Sequence, residues 1–179
     1  KYICIDTETT SVDPMFAELV GISFATKAHE GYYIPVPEDR EGVIEILNRF
    51  KPVLENPEIG KTGQNIKYDL LVLEHYGIHI QGPLFDTMLA HYLLEPDQRH
   101  GMDYLSESYL QYRPVSITEL IGKKGKNQGS MRDVPLDKIT ERQRSVASFN
   151  FPRTRGVFGE TFGGAQMGGV EDRRAVRRS

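Results

Sequence analysis

Leucine and isoleucine stop at Ile139: residues 1–141 carry 27 of them and the last 38 positions carry none. That break limits which part of the 179-residue chain can build a core. A segment with eight Arg, six Gly and no Leu or Ile buries too little apolar area to offset its ordering entropy. The sequence therefore predicts one domain over residues 1–141 and a poorly packed Arg/Gly-rich tail over 142–179, despite Phe149, Phe151, Phe158 and Phe162. The charge breaks at the same place, from −8 over residues 1–141 to +5 over 142–179. Two readings of the tail stand side by side. It is a basic arm that touches phosphates, or an out-of-frame reading of a gene whose correct frame continued the domain. The joint loss of Leu, Ile and Lys favours the second.

With 39% apolar and 26% charged residues, the composition is that of a globular protein. No run approaches the ~20 apolar residues of a bilayer span, and no charged-then-apolar leader opens the chain, so a cytoplasmic setting without membrane contact is expected. Cys4 is the single cysteine, which excludes an intramolecular disulfide and a Cys-based zinc site. A net charge of −3 argues against a free-standing nucleic-acid binder. The chain begins at Lys1, without Met, directly before an apolar run, as a strand cut from something longer would.

Tyr2 to Asp6 is that run, a buried central strand ending in an acid. Residues 19–26 and 31–36 read as a hairpin pairing with it, turning through Lys27-Ala28-His29-Glu30. Val43, Ile46, Leu47, Phe50 and Leu54 recur at helical spacing over 41–54. A short strand is expected at 59–62 and a minimal one at Ile78–Ile80. Further helices are expected from Asn65 to Gly77, from Asp86 to Leu94, over 102–109 and over 117–121, with Asn65, Asp86 and Asp103 as N-caps. Strands followed by helices, with a hairpin first, imply a mixed sheet covered by helices.

The chemistry-bearing residues begin with Asp6-Thr7-Glu8. Side chains two apart on a strand share a face, so Asp6 and Glu8 converge at the carboxyl end, where open α/β sheets bind ligands. Paired carboxylates repel unless a proton or cation compensates, and hard dications favour such oxygens. Solvation of a strand exit is the plainer alternative. Asp69, in the first turn of the second helix, is explained by the helix dipole alone. Taken with the acid pair, it completes a candidate cluster. Gly60-Lys61-Thr62 lacks the upstream Gly of a phosphate loop, Glu55 standing there. His75 and His79, separated by Gly77, read as structural.

IDTETT (5–10), followed by GQNIKYD (63–69), FDTMLAHYLLEP (85–96), HGMDYLSESYL (100–110), ITELIGKKGKNQ (117–128) and VPLDKITE (134–141), resembles the 3′–5′ proofreading exonuclease domains of bacterial DNA polymerase I. These belong to the wider group of four-carboxylate exonucleases. The resemblance covers essentially all of residues 1–141. It implies an α/β fold with a ribonuclease H-like mixed sheet flanked by helices. It also implies hydrolysis of 3′-terminal nucleotides of single-stranded or frayed DNA by two divalent ions, Mg²⁺ or Mn²⁺. Asp6, Glu8 and Asp69 match the family's metal-holding acids. Thr7, Gln64, Asn65 and Tyr68 match positions around the terminal nucleotide, and Val12 an apolar wedge beside its base. Lys123, Lys124 and Lys126 form a basic loop that is either a solvated turn or a phosphate contact. A polymerase domain of the same parent protein is the implied partner.

The family's third motif, Tyr-x-x-x-Asp, is missing: Arg142 and Val146 stand in register with it. That departure predicts a severely impaired enzyme. It also keeps open a non-catalytic structural module packed on a polymerase domain. An RNA-trimming exonuclease and, more remotely, a haloacid-dehalogenase-type phosphatase are further alternatives.

Overall fold

The computed structural model describes residues 1–27, 30–111, 113, 115–122, 129–140 and 142. Strands β1 (Tyr2–Thr9), β2 (Leu19–Lys27), β3 (Glu30–Pro35), β4 (Gly60–Gly63) and β5 (Leu84–Asp86) form one sheet in the order β3-β2-β1-β4-β5. β1 pairs antiparallel with β2, and β2 with β3, while β1–β4 and β4–β5 are parallel. The mixed sheet is thus the one the sequence predicts. Helices α1 (Arg40–Leu54), α2 (Ile66–Glu74), α3 (Thr87–Leu94), α4 (Met102–Leu110) and α5 (Ile117–Ile121) flank it. A 3₁₀ turn at Met131–Asp133 and a helical stretch at 136–140 follow.

Period-two alternation divides the sheet into two faces. Ile3, Ile5 and Thr7 of β1 share one face with Phe24 and Ile22, their cross-strand neighbours on β2. This face carries the main core, where Ile5, Leu19 and Ile22 pack with Val43, Leu47 and Leu54 of α1 and Ile66, Val72 and Leu73 of α2. Phe24 stacks on Phe50 of α1 with centroids 4.8 Å apart. Asp6 and Glu8 lie on the opposite face, aligned with Ser23 and Gly21. A smaller cluster of Val20, Met131, Val134 and Ile139, with Tyr33 packed against it, accompanies that side. Cys4 packs on Ala25 as a small buried apolar residue.

The expected strand at Ile78–Ile80 is absent, and β5 runs over Leu84–Asp86 instead. The reason lies in hydrogen bonds made elsewhere. Ile78 N–H donates to Leu73 O (3.2 Å), His79 N–H to Glu55 Oε1 (2.8 Å) and Gln81 N–H to Leu54 O (3.2 Å), so the segment bridges the ends of α1 and α2. Asp86 caps α3 as expected, accepting from Met88 N–H and Leu89 N–H. Asn65 does not cap by its side chain; it sits in the left-handed region at φ 57°. Asp103 lies in the first turn of α4, and Gly101 holds the cap position.

Lys61 is fully buried on β4, its ammonium donating to Asn56 O (2.8 Å) and Gln81 O (2.6 Å). Burial pulls its pKa down. The two carbonyls hold the turns flanking the strand. Gly82 sits among the same turns at φ +89°, where a Cβ would lie 2.6 Å from Ile59 O and 2.9 Å from Pro57 O. Both backbone strain and overlap oppose a side chain there. Gly82→Ala is expected to lower stability by about 2 kcal/mol or more. A urea midpoint shift at constant slope measures it, and an unchanged midpoint would contradict the assignment.

Candidate active site at the carboxyl end of the first strand

β4 is shorter than β1 and pairs with it only over Tyr2–Cys4. Beyond Cys4 that edge of β1 has lost its parallel partner, and backbone groups there need another acceptor. Asp69, in the first turn of α2, supplies it. Its Oδ1 accepts from Thr7 N–H (2.8 Å) and from Thr7 Oγ1–H (2.6 Å). The two motifs, 62 residues apart, are thereby fastened together.

Asp69 is 3% exposed. Burial and the neighbouring Asp6 charge push its carboxyl well above the usual carboxylate range, against the pull of the Thr7 hydrogen bonds. An acid so placed gains from a nearby cation, and the all-oxygen donors of Asp6 and Asp69 suit a hard divalent ion.

Glu8 is engaged differently. Its carboxylate, 7% exposed, stands 3.6 Å from Nε of Arg142, whose side chain is 11% exposed. Arg142 Nη1 donates to Val115 O (2.8 Å). The β1–β2 register shifts between Glu8 and Thr9, a local irregularity at the strand end that carries the acids. Among the described residues, no three His, Cys, Asp or Glu side chains are grouped so as to hold a metal ion. Asp6 and Asp69 are close enough to bear on each other, while Glu8 is set against a guanidinium.

Tyr68 on α2 lies 2.5 Å from Thr9 Oγ1 and also donates to Ser11 O, fastening the start of the β1–β2 loop. That loop carries Val12, 85% exposed, with Met15 and Phe16 also exposed. Gln64 donates through Nε2 to His100 O (2.7 Å) and accepts from the Thr87 hydroxyl, so both ends of its amide have protein partners. Asn65 N–H donates to Asp86 Oδ1 (3.0 Å). Thr7 contributes both its donors to Asp69. Lys123, Lys124 and Lys126 lie outside the described residues, as does Val146.

Tyr33 is a residue that sequence reasoning missed. It pairs with Ser23, which pairs with Asp6, so the three share a face. Its ring lies over Gly21, the residue opposite Glu8, in the space a Cβ would fill. Burial, then the Glu8 charge, push its phenol up to about 12, with Arg132 opposing. The signal was register rather than motif.

Two outcomes follow from these environments. Asp69→Asn keeps the acceptor for Thr7 and removes the buried charge, so metal-free stability near pH 8 is expected to rise by about 1 kcal/mol, read by thermal denaturation. A fall of similar size would show that the charge stabilises the fold. For Tyr33 the folded pKa exceeds that of an exposed phenol near 10. Its contribution is therefore complete below about pH 10 and is lost as pH rises toward about 12. Tyr33→Phe should flatten the alkaline decline in stability over that window, and an unaltered slope would refute the assignment.

Comparison with known proteins agrees with this geometry. The sequence pattern of the 3′–5′ exonuclease family of DNA polymerase I matches residues 1–141. DNA polymerase I of Borreliella burgdorferi is 41% identical over 155 residues, covering 84% of this chain and 16% of that protein. DNA polymerase I of Pseudomonas aeruginosa is 41% identical over 135 residues, covering 70% of this chain and 15% of its own length. The chain thus spans about a sixth of the curated relatives it matches. Among solved structures, Brucella melitensis NrnC with bound Mg²⁺ superposes with a TM-score of 0.67 at 17% identity, covering 90% of this chain and 73% of that one. The likeness extends the shared architecture to a ribonuclease H-like fold. With the fold, the register and the two joined motifs in agreement, the chain belongs to the 3′–5′ exonuclease domain family of DNA polymerase I.

Proposed function

We propose that the chain is a metal-dependent 3′–5′ exonuclease unit for the 3′ ends of single-stranded or frayed DNA. It works in a parent protein that also carries a polymerase domain. The observation that carries this reading is the Asp69–Thr7 linkage, which brings an acid of α2 beside Asp6 at the end of β1. Asp6, Glu8 and Asp69 are the acids that match the family's metal-holding positions, where two divalent ions, Mg²⁺ or Mn²⁺, are expected in the family. Divalent ions held by these acids would supply activation of a water and neutralisation of charge on a leaving 3′ oxygen.

The protein's own part is placement. Thr7 holds the Asp69 carboxylate in one orientation, which fixes where positive charge is favoured. Tyr68 braces Thr9 and Ser11, so the loop that presents Val12 leaves the strand in one direction. Val12 then offers an exposed apolar surface to a terminal base. Gln64 ties the end of β4 to α3 and to His100, while Asn65 joins α2 to Asp86. A frayed end reaches such a site most readily, because a mismatch spares part of the unpairing energy. Lys123, Lys124 and Lys126 would add phosphate contacts.

Arg142 and Val146 stand where the family has Tyr and Asp, so one acid and one water-orienting hydroxyl are missing. The chain as given is expected to release nucleotides slowly from a 3′-labelled oligonucleotide in Mg²⁺ or Mn²⁺. Combining Arg142→Tyr with Val146→Asp should raise the rate at least about tenfold, and adding Asp69→Asn should abolish the gain. Full activity in the unaltered chain, or none in the double substitution despite a folded protein, would contradict this assignment of roles.

A further inference from the structure

Glu8 and Arg142 form a buried pair with an unusual hydrogen-bond pattern. The guanidinium Nε is 3.6 Å from Glu8 Oε1, and among the described residues Nε has no hydrogen-bond partner. Nη1 donates to Val115 O (2.8 Å). The interaction at Nε is therefore Coulombic rather than a charge-assisted hydrogen bond. Burying two charges is costly unless each is compensated, so each holds the other in place. Asp69 meanwhile is turned to Thr7 and feels Asp6, and the three acids do not form an ion-holding group among the described residues. The acids are thus divided: Glu8 is set against a cation, whereas Asp69 is hydrogen-bonded to Thr7 under the repulsion of Asp6.

We propose that Arg142 is the resident counter-ion of Glu8, so that this chain takes up one divalent ion, at Asp6 and Asp69, in place of two. The inference rests on the exonuclease reading for the identity of the metal-holding acids. A unit positive charge within ~4 Å of a carboxylate lowers the attraction that carboxylate offers a dication and repels the dication directly. The effect is strongest where water is excluded, as it is around Glu8. Arg142 acts as a stoichiometry-setting residue and needs no contact with substrate to do so.

The test uses the whole 179-residue chain and Mn²⁺ alone. Bound ions are counted from the electron paramagnetic resonance signal of free Mn²⁺ and by calorimetry, with circular dichroism confirming the fold of each variant. One ion is expected for the unaltered chain and for Arg142→Lys. Arg142→Gln should bind two, the added ion at least about tenfold more tightly than any second ion in the unaltered chain. The Glu8→Gln/Arg142→Gln double variant removes both charges together and should return to one ion, whether or not the single variant folds. Two ions in the unaltered chain, or an Arg142→Gln variant that is folded and unchanged in count and affinity, would overturn the inference while sparing the exonuclease reading. No Mn²⁺ bound by any variant would overturn both.

Discussion

The hydrogen bonds from Thr7 to Asp69 Oδ1 hold the arrangement together because they answer a mismatch in strand length. β1 continues to Thr9 while β4 stops at Gly63, and pairing between them ends at Cys4. A backbone N–H left at that edge needs an acceptor, and α2 starts close enough for its first-turn carboxylate to serve. Each charge-assisted bond contributes about 1.5–3 kcal/mol, whereas desolvating a carboxylate costs several kcal/mol. The repulsion from Asp6 adds to that cost. The linkage therefore orders the site without neutralising it, and under the proposed function the surplus negative potential would draw a cation.

Glu8 shows that neighbouring acids on one strand need not share a solution. It points to the sheet face opposite the one where Asp69 of α2 reaches Thr7. What meets it there is Arg142, held at its far end by Val115. Tyr33 approaches from the same face, across the space left open by Gly21, and feels both Glu8 and Arg132. A small change at position 142 thus redistributes charge over a face that carries Asp6, Glu8 and Tyr33 together.

Much of the fold was legible because its signals are local. The apolar run of Tyr2–Asp6, the helical spacing of Val43, Leu47 and Leu54, and the cap at Asp86 each follow from short-range rules, and the structure places them accordingly. Ile78–Ile80 misled because an apolar triplet says that residues are buried and says nothing about where their N–H groups go. Ile78 is in the core, but it reaches there as a bridge between two helix ends. At the site, the pairing of Asp6 and Glu8 on one face followed from alternation alone. The role of Thr7 was not legible, since it depends on β4 ending early. Tyr33 was invisible for a related reason: its place beside Glu8 comes from a register across three strands.

The charge distribution adds a constraint that no single contact expresses. Residues 1–141 carry −8, and under the proposed function a polyanionic strand approaching Asp6, Glu8 and Asp69 would meet repulsion before any specific contact. Every positive charge placed among those acids lowers that repulsion, so ion uptake and approach of a phosphate backbone are linked: each favours the other by the same factor. A guanidinium at Glu8 supplies one unit of that compensation, and a dication supplies two. Exchanging one for the other lowers the site's charge compensation as well as its ligand count. In the proposed role, position 142 would therefore act on metal uptake and polyanion approach through the same electrostatic term, although its side chain need touch neither the ion nor the strand.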